Sequence, residues 1–252
     1  MDYTERTYRS LHRQGDLVHF QVAVRETDLD IGVRRERFSP ELVRRVEELV
    51  KKERSALEEY IKRDPVFKTS LVPHATGDGA PQMAVDMAGA ARLAGVGPMA
   101  AVAGAFAQWV GKALARHSRD VIVENGGDIF IKTARPRKVG IFAGPSPFTH
   151  RIALEIQPGQ TPLGICTSSG TVGHSVSFGK SDAVVILSPS TPLADAVATA
   201  AGNLVQSEED VQRAVDFAAA IPGIVGALAI KGEKLAAWGQ IKLVPTVLRG
   251  ER

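Results

Sequence analysis

Cysteine is nearly absent from this sequence, since Cys166 is the only one among 252 residues. An intrachain disulfide is therefore impossible, and nothing in the cysteine usage points to an oxidising compartment. Charge of a single sign is scarce as well. The 31 Lys and Arg residues oppose 28 Asp and Glu residues and leave a formal net charge of +3. So small an excess argues against nucleic acid as a partner.

Long apolar runs are also missing. No uncharged apolar stretch approaches the ~20 residues that a transmembrane helix needs, which argues against a membrane partner. Residues 1–14 are charged and contain no apolar core, a pattern that predicts no cleaved signal peptide. These absences together predict a cytoplasmic location. The chain nevertheless has apolar material for a full core, because 44% of its residues are hydrophobic.

Helices and hairpins are predicted in the first half of the chain. Residues 18–24 alternate apolar and polar side chains, which predicts a half-buried strand. Ser39 and Pro40 suit the start of a helix, and an apolar stripe continues this helix to about residue 63. Two helices rich in small residues are predicted across residues 82–116. A hairpin follows them, with its turn at Asn125-Gly126.

The order helix, helix, hairpin returns in the second half. Residues 192–203 and 207–219 are predicted helices, and residues 224–230 and 235–243 form the predicted hairpin. This recurrence predicts two similar halves. No linker separates them, so residues 1–252 are predicted to form a single domain. Because hairpins join most of the strands, the predicted fold class is α+β with a mainly antiparallel sheet.

Asp195 and Thr199 form the first candidate site. Residues 194–200 read Ala-Asp-Ala-Val-Ala-Thr-Ala, so the two polar residues lie one helical turn apart on one face. A carboxylate and a hydroxyl in this arrangement can supply two oxygens to magnesium. Alternatively, Asp195 stabilises the start of its own helix and Thr199 bonds back to the carbonyl of Asp195. The spacing alone leaves both interpretations open.

Gly126, Gly127 and Asp128 form the second candidate. Adjacent glycines let the backbone approach a ligand closely, and the Asp128 carboxylate can accept a hydrogen bond from a ribose or a heterocycle. Asn-Gly is equally the residue pair that a tight hairpin requires. Local chemistry favours a role in the turn alone.

The third candidate is the polar stretch 166–175, Cys-Thr-Ser-Ser-Gly-Thr-Val-Gly-His-Ser. The hydroxyls of Thr167, Ser168 and Ser169 beside glycine suit a loop that holds phosphate. Cys166 and His174 can be combined as a nucleophile and its base. A lone cysteine after an apolar stretch is, however, more typical of a small buried hydrophobe.

Together these motifs resemble the ApbE family, the magnesium-dependent FAD:protein FMN transferases. The family pattern contains a Gly-Gly-Asp turn, a Thr-Ser-Gly segment followed by a histidine, and an Ala-Asp-Ala-x-x-Thr-Ala helix start. All three occur here in that order. The resemblance implies an ApbE-like fold in which Asp195 and Thr199 help to hold magnesium. It also implies ligand-contacting residues at Gly126, Gly127, Asp128, Thr167, Ser168, Ser169 and His174.

Two departures from the family pattern bear on activity. Family members carry a lysine before glycine in the helix that precedes the Gly-Gly-Asp turn, whereas residues 102–106 read Val-Ala-Gly-Ala-Phe. The loop after His174 is also shortened and rewritten. Both changes predict weaker FAD binding than in the family's transferases. We therefore expect an ApbE-like relative from a cytoplasmic branch of the superfamily.

Three functional hypotheses follow. The first is an ApbE-like protein that binds a nucleotide, flavin or other small phosphorylated ligand with a divalent cation in a cleft between its halves, with FMN transferase activity as its enzymatic form. The second is a flavin- or nucleotide-binding protein that has lost the chemistry. The third is a homo-oligomeric scaffold in which the alanine-rich helices serve only packing.

Overall fold

The structure, a computed structural model, describes residues 15–170 and 178–246. In this part of the chain the strands are Leu17–Val24 (β1), Thr27–Arg34 (β2), Val121–Asn125 (β3), Asp128–Lys132 (β4), Arg137–Gly140 (β5), Ile152–Ile156 (β6), Leu163–Ser168 (β7), Ala183–Ser188 (β8), Gly226–Lys231 (β9), Lys234–Gly239 (β10) and Leu243–Pro245 (β11). The α-helices are Pro40–Arg63 (α1), Pro65–Thr69 (α2), Gln82–Ala94 (α3), Val102–Ala115 (α4), Thr191–Asn203 (α5) and Val211–Ala219 (α6).

Two antiparallel sheets organise the molecule. The larger sheet has eight strands in the order β1-β2-β3-β4-β7-β8-β9-β10, and the smaller has the order β11-β6-β5. Each neighbouring pair runs antiparallel. The predicted α+β class with a mainly antiparallel sheet is confirmed.

The larger sheet lies between the helices and the smaller sheet. Strand side chains alternate between its two faces. On β8, Val184 and Ile186 pack with the helices, whereas Val185 and Leu187 pack against the smaller sheet. Because β8 is covered on both sides, all six of its residues are buried. This burial explains the unbroken apolar run from Ala183 to Leu187.

Helix α1 has the predicted bounds. The Leu42 N–H donates a hydrogen bond to Ser39 Oγ at 3.1 Å, and Pro40 occupies the first helical turn. The helix ends at Arg63, and Asp64 caps the short helix that follows. The bounds of α1 were predictable because both of its ends carry strong local sequence signals.

The order helix, helix, hairpin occurs twice, as α3-α4-β3-β4 and as α5-α6-β9-β10. That the two halves are similar in detail remains a prediction. The strand predicted over residues 235–243 is wrong in its second part. It ends at Gly239, whose φ of +75° turns the chain, and Leu243 begins a strand of the smaller sheet.

A buried ionic network joins the two sheets. Arg137, on the smaller sheet, donates to Asp120 Oδ1 at 3.2 Å, and Asp120 directly precedes β3 of the larger sheet. Arg34 donates to the other oxygen of Asp120 at 2.5 Å, and Asp16 also pairs with Arg137. Asp120 is 1% exposed and Arg137 is 4% exposed. The charges are therefore paired where water is excluded.

Among the described residues, no single helix combines the length and apolarity of a membrane span. Only the helical segments Gln82–Ala94 and Pro98–Ala115, taken together, reach that length and composition, and they are bent by 104° relative to each other.

Candidate functional site

The site begins where helices α4 and α5 cross. Gly104 lies in the first turn of α4, and a Cβ added to it would lie 2.6 Å from the carbonyl oxygen of Thr191 and 2.8 Å from Cβ of Asp195. Only glycine permits this approach without a shift of the backbone. The Gly104 N–H donates a hydrogen bond to Asp195 Oδ2 at 2.8 Å. The crossing thus places the Asp195 carboxylate at the start of α4.

Asp195 caps α4 from outside that helix. The residue before α4, Ala101, has no side chain that can accept the free N–H groups of the first turn. Asp195 accepts from the N–H groups of Gly104 and Ala103. The interpretation that Asp195 stabilises the start of its own helix is therefore corrected: it is the fifth residue of α5 and serves the N-terminus of α4.

The hairpin turn between β3 and β4 is attached to the same helix start. The Asn125 side-chain amide donates to the carbonyl oxygen of Ala103 at 3.1 Å, and the Gly127 N–H donates to Glu124 Oε1 at 2.8 Å. Gly126 and Gly127 have φ values of +67° and +108°. Both glycines are therefore required by the turn itself.

Asp128 and Asp195 form a buried pair of carboxyl groups. Asp128 is 7% exposed and Asp195 is 9% exposed. Burial raises the pKa of Asp128 to about 7, the nearby charge of Glu124 adds to the rise, and hydrogen bonds from the Cys166 thiol and the Thr167 N–H oppose it. Burial likewise raises the pKa of Asp195 well above its ordinary value, followed by the charge of Asp128. Two anionic carboxylates are thus unfavourable here without a compensating cation.

Cys166 lies beside this pair and is completely buried. Burial raises the pKa of its thiol, and the charges of Asp128 and Asp195 raise the pKa further. The Cys166 Sγ atom also lies 3.4 Å from the carbonyl oxygen of Thr191. A protonated, enclosed thiol favours the interpretation of Cys166 as a small core residue over that of a nucleophile.

The structure brings most of the predicted site residues into one region. The glycine turn lies beside β7, because a Cβ on Gly127 would be 3.7 Å from the carbonyl oxygen of Thr167. Ser168 ends β7 and its Oγ would be 3.2 Å from a Cβ on Gly202 of α5. The Ser169 hydroxyl donates to the carbonyl oxygen of Ser181 at 3.4 Å.

Thr199 and His174 are the two remaining predicted site residues. Thr199 is half-buried and lies one turn after Asp195 on α5. His174 lies outside the described residues. The ligand and metal roles assigned to all of these positions remain predictions.

The available donors suit a hard cation. Asp128, Asp195 and Thr199 offer carboxylate and hydroxyl oxygens, which magnesium prefers. Within residues 15–170 and 178–246, no three His, Cys, Asp or Glu side chains converge on a preformed metal site. Magnesium would therefore need backbone, water or ligand oxygens in addition to these side chains, which is usual for this ion.

A groove of about 450 Å³ lies between helices α3, α4 and the start of α5. Val85, Gly89 and Leu93 of α3 line it together with Lys112 of α4 and Leu193 of α5. None of the predicted site residues borders this groove. The groove is therefore not part of the candidate site around Asp128 and Asp195.

The chain is similar in sequence to a known protein family. The sequence model of the family described as "AbpE bacteria" matches residues 9–230. The chain belongs to this family. A UPF0280 protein of Methanocella arvoryzae is 44% identical over 197 residues, covering 78% of this chain and 79% of the relative. A UPF0280 protein of Methanopyrus kandleri is 41% identical, covering 92% of this chain and 94% of the relative.

Solved structures resemble this AbpE family member in fold. The flavin transferase ApbE of Vibrio cholerae gives a TM-score of 0.55 at 16% identity and is matched over 89% of this chain and 97% of its own. The apo flavinyl transferase ApbE of Pseudomonas stutzeri gives 0.55 at 15% identity, over 88% and 94%. The ApbE resemblance read from the motifs is confirmed. At such low identity the likeness to these two structures shows the fold alone.

Sequence reasoning missed the residues that assemble this family member's site. Asn125 was assigned only to a turn, and Gly104 was noted only for the lysine missing before it. The structure shows that both fix the first turn of α4 against the acidic residues. The one available signal was the glycine at position 104, which the family pattern also contains.

Proposed function

We propose that this protein binds a small ligand that bears a diphosphate, such as a nucleotide or a flavin dinucleotide, together with a divalent cation. Asp195, Thr199 and Asp128 hold the cation. The turn at Gly126 and Gly127 and the end of β7 lie alongside the ligand.

The observation that carries this proposal is the buried pair Asp128 and Asp195. Two carboxyl groups less than a tenth exposed, each with a raised pKa, are costly to ionise together. A cation between them reverses this cost, because it lets both groups ionise. In addition, Asp195 is already oriented by the N–H of Gly104. An oriented carboxylate loses little freedom when it binds an ion.

A phosphorylated ligand is favoured by what surrounds the pair. The solvent-facing side of the site consists of Gly126, Gly127 and the hydroxyl-bearing residues Thr167, Ser168 and Ser169, which are half-buried or exposed. Backbone N–H groups and hydroxyls of this kind hold phosphate oxygens. The structures of similar fold are named as flavin transferases. Magnesium in the site would neutralise the charge of the diphosphate.

Transfer of FMN is a further step beyond binding. It would break the phosphoanhydride bond of FAD, attach the FMN phosphorus to an acceptor hydroxyl and release AMP. Ala103 stands where the family pattern has lysine, so a contact of that pattern is absent. We therefore propose binding as the primary function and expect slow transfer or none.

The test is titration calorimetry of the parent protein with FAD, ADP and pyrophosphate, with 5 equivalents of magnesium or with EDTA. We expect binding that requires magnesium. Chromatography of the FAD reaction then measures released AMP, which separates an enzyme from a binding protein. If no ligand binds in either condition, the carboxylate pair serves the packing of α4 and the scaffold hypothesis is favoured.

A further inference from the structure

Phe178 is an exposed aromatic residue whose backbone is nevertheless fixed. Its residue surface is 61% exposed. Its N–H donates to Asn203 Oδ1 at 2.9 Å, and its carbonyl oxygen accepts from Gln206 Nε2 at 3.0 Å. Two side chains are thus committed to holding one residue whose apolar surface faces water. Burying such a surface is favourable for any ligand that covers it.

The position of Phe178 relates it to the proposed cation site. Asp195, Thr199 and Asn203 follow one another at intervals of four along α5, and residues at this spacing lie on neighbouring parts of one helix face. The side chain that holds Phe178 is therefore one turn beyond Thr199. Along the helix axis, Asn203 lies about 12 Å from Asp195.

The segment around Phe178 is pressed onto the end of α5. A Cβ on Gly179 would lie 1.9 Å from the carbonyl oxygen of Gly202, so only glycine fits there. The Lys180 N–H donates to the carbonyl oxygen of Val205 at 2.7 Å. Phe178 is therefore held through its own backbone by Asn203 and Gln206, and the close contact of Gly179 fixes the residue that follows it.

We propose that Phe178 is a specificity-determining residue on which the planar ring of the ligand stacks. The proposal rests on the proposed function, because it requires the diphosphate and its cation at Asp195 and Thr199. A nucleotide or flavin extends from its diphosphate through a sugar or ribityl chain to an aromatic ring. With the diphosphate beside Asp195, the end of α5 lies at a distance that such a ring reaches. A Phe side chain stacks on any planar heterocycle without reading its hydrogen-bonding edge.

The experiment uses the whole protein with Phe178→Ala and Phe178→Trp. Calorimetry with magnesium measures the Kd of four probes: pyrophosphate, ADP, FMN and FAD. We expect Phe178→Ala to raise the Kd of FAD by about tenfold or more, and to raise equally the Kd of ADP if the adenine stacks or of FMN if the flavin ring stacks. The Kd of pyrophosphate should stay unchanged. Phe178→Trp should restore the affinity. Trp238→Ala, which removes another exposed aromatic residue on β10, is the matched control and should change none of the four constants.

Two different failures are distinguishable. If the parent binds FAD with magnesium and Phe178→Ala leaves its Kd within twofold, the stacking role is overturned and the proposed function stands. The stacking role is also overturned if Phe178→Ala raises the Kd of pyrophosphate as much as that of FAD, since the residue would then act through the structure of α5. If the parent binds none of the probes, the proposed function fails and the stacking role fails with it.

Discussion

Asp195 is subject to opposing influences that determine its behaviour. Burial and the Asp128 charge disfavour its anionic form, whereas hydrogen bonds from the N–H groups of Gly104 and Ala103 favour that form. Without a cation, burial and the Asp128 charge outweigh the hydrogen bonds, and the pKa of Asp195 is therefore raised. A bound divalent ion would remove the repulsion while leaving the hydrogen bonds in place. The residue can therefore cap α4 and bind a cation at the same time.

The substitution Asp195→Asn separates these roles. Asparagine keeps the size and one acceptor oxygen for the Gly104 N–H, but it cannot become the anion that a cation requires. We expect the melting temperature in EDTA to rise or stay level, and the magnesium-dependent rise to disappear. Thermal-shift titration with magnesium, with and without ADP, measures both effects.

Thr199→Val is the companion of this substitution. Valine keeps the branched shape and deletes the hydroxyl one turn from Asp195. A shared cation site requires that the magnesium response weaken in this variant too. A magnesium response that survives in both variants, with Asp195→Asn destabilised in EDTA, would leave Asp195 with the capping role alone.

Cation binding is also expected to depend on pH through Asp128. The folded pKa of about 7 exceeds the ordinary 3.8, so the protonated form is favoured in the fold. The associated stability is present below pH ~4 and is lost as pH rises through about 7. A cation requires the ionised forms of Asp128 and Asp195, so its affinity should increase as pH rises through about 7. Measuring the magnesium Kd between pH 5.5 and 8.5 checks this, and Asp128→Asn should reduce the dependence.

Single residues were only partly predictable because sequence spacing reports local geometry. Asp195 and Thr199 were found through the helical period. The proximity of Asp128 to Asp195 could not be derived, since they are 67 positions apart and the packing of α5 on the larger sheet brings them together. Gly104 and Asn125 were missed for the same reason. The Gly104 N–H binds the Asp195 side chain and the Asn125 amide binds the Ala103 carbonyl oxygen, and no sequence pattern displays contacts between such distant positions.

Elements were predictable wherever capping and periodicity agreed. Helix α1 matches its predicted bounds because Ser39, Pro40 and the apolar stripe all give the same answer. Strand β7 was missed because its sequence is short and polar at one end, so Thr167 and Ser168 were assigned to a loop. They are in the strand because they pair with Val185 and Val184 of β8, while β4 pairs with the apolar part of β7. Tertiary pairing overrode a weak local signal.

The crossing of α4 and α5 gives a test at the scale of elements. Gly104→Ala forces a methyl group to within 2.6 Å of the Thr191 carbonyl oxygen, so the helices must separate. We expect the free energy of unfolding to fall by about 1–3 kcal/mol, as in other overpacked interiors. Chemical denaturation measures this change. Weakened magnesium binding should accompany it, because the Gly104 N–H orients Asp195.

Gly89→Ala in α3 is the matched control. It is also a glycine inside a helix, but no atom lies within 4 Å of its added Cβ. Alanine there should raise the free energy of unfolding by about 0.5–1 kcal/mol through helix propensity. Equal effects of the two substitutions would show that helix propensity, and not the crossing, governs Gly104.

The arrangement of the whole molecule was the least accessible to sequence reasoning. The strand order joins β2 to β3 and β4 to β7, which lie far apart in the chain. Hairpin signals predict only the neighbours within each hairpin. They therefore indicated an antiparallel sheet without its order, and they gave no sign of the smaller sheet. That residues 1–252 form one domain with similar halves remains a prediction.

The two sheets are expected to depend on Asp120 for their attachment. Burial raises the pKa of this carboxyl group, but hydrogen bonds from the Ala134 N–H, the Thr133 hydroxyl and the guanidinium groups of Arg34 and Arg137 outweigh it and hold the pKa well below the ordinary value. Its contribution to stability is therefore present above pH ~4 and lost as pH falls below that value. Neutralising it leaves the buried Arg137 without its enclosed partner.

Asp120→Ala tests this attachment. Removing one partner of a buried pair is strongly destabilising, and we expect a loss of about 3 kcal/mol in the free energy of unfolding at pH 7. Asp16→Ala is the control, because Asp16 binds the same Arg137 but its side chain is 41% exposed. An exposed partner should contribute about 1 kcal/mol or less.

Urea denaturation at pH 7 and at pH 3 measures both variants, and the difference between parent and Asp120→Ala should shrink at the lower pH. Losses of equal size for Asp16→Ala and Asp120→Ala would show that Arg137 needs any one carboxylate, and that the enclosed one has no special role in holding the sheets together.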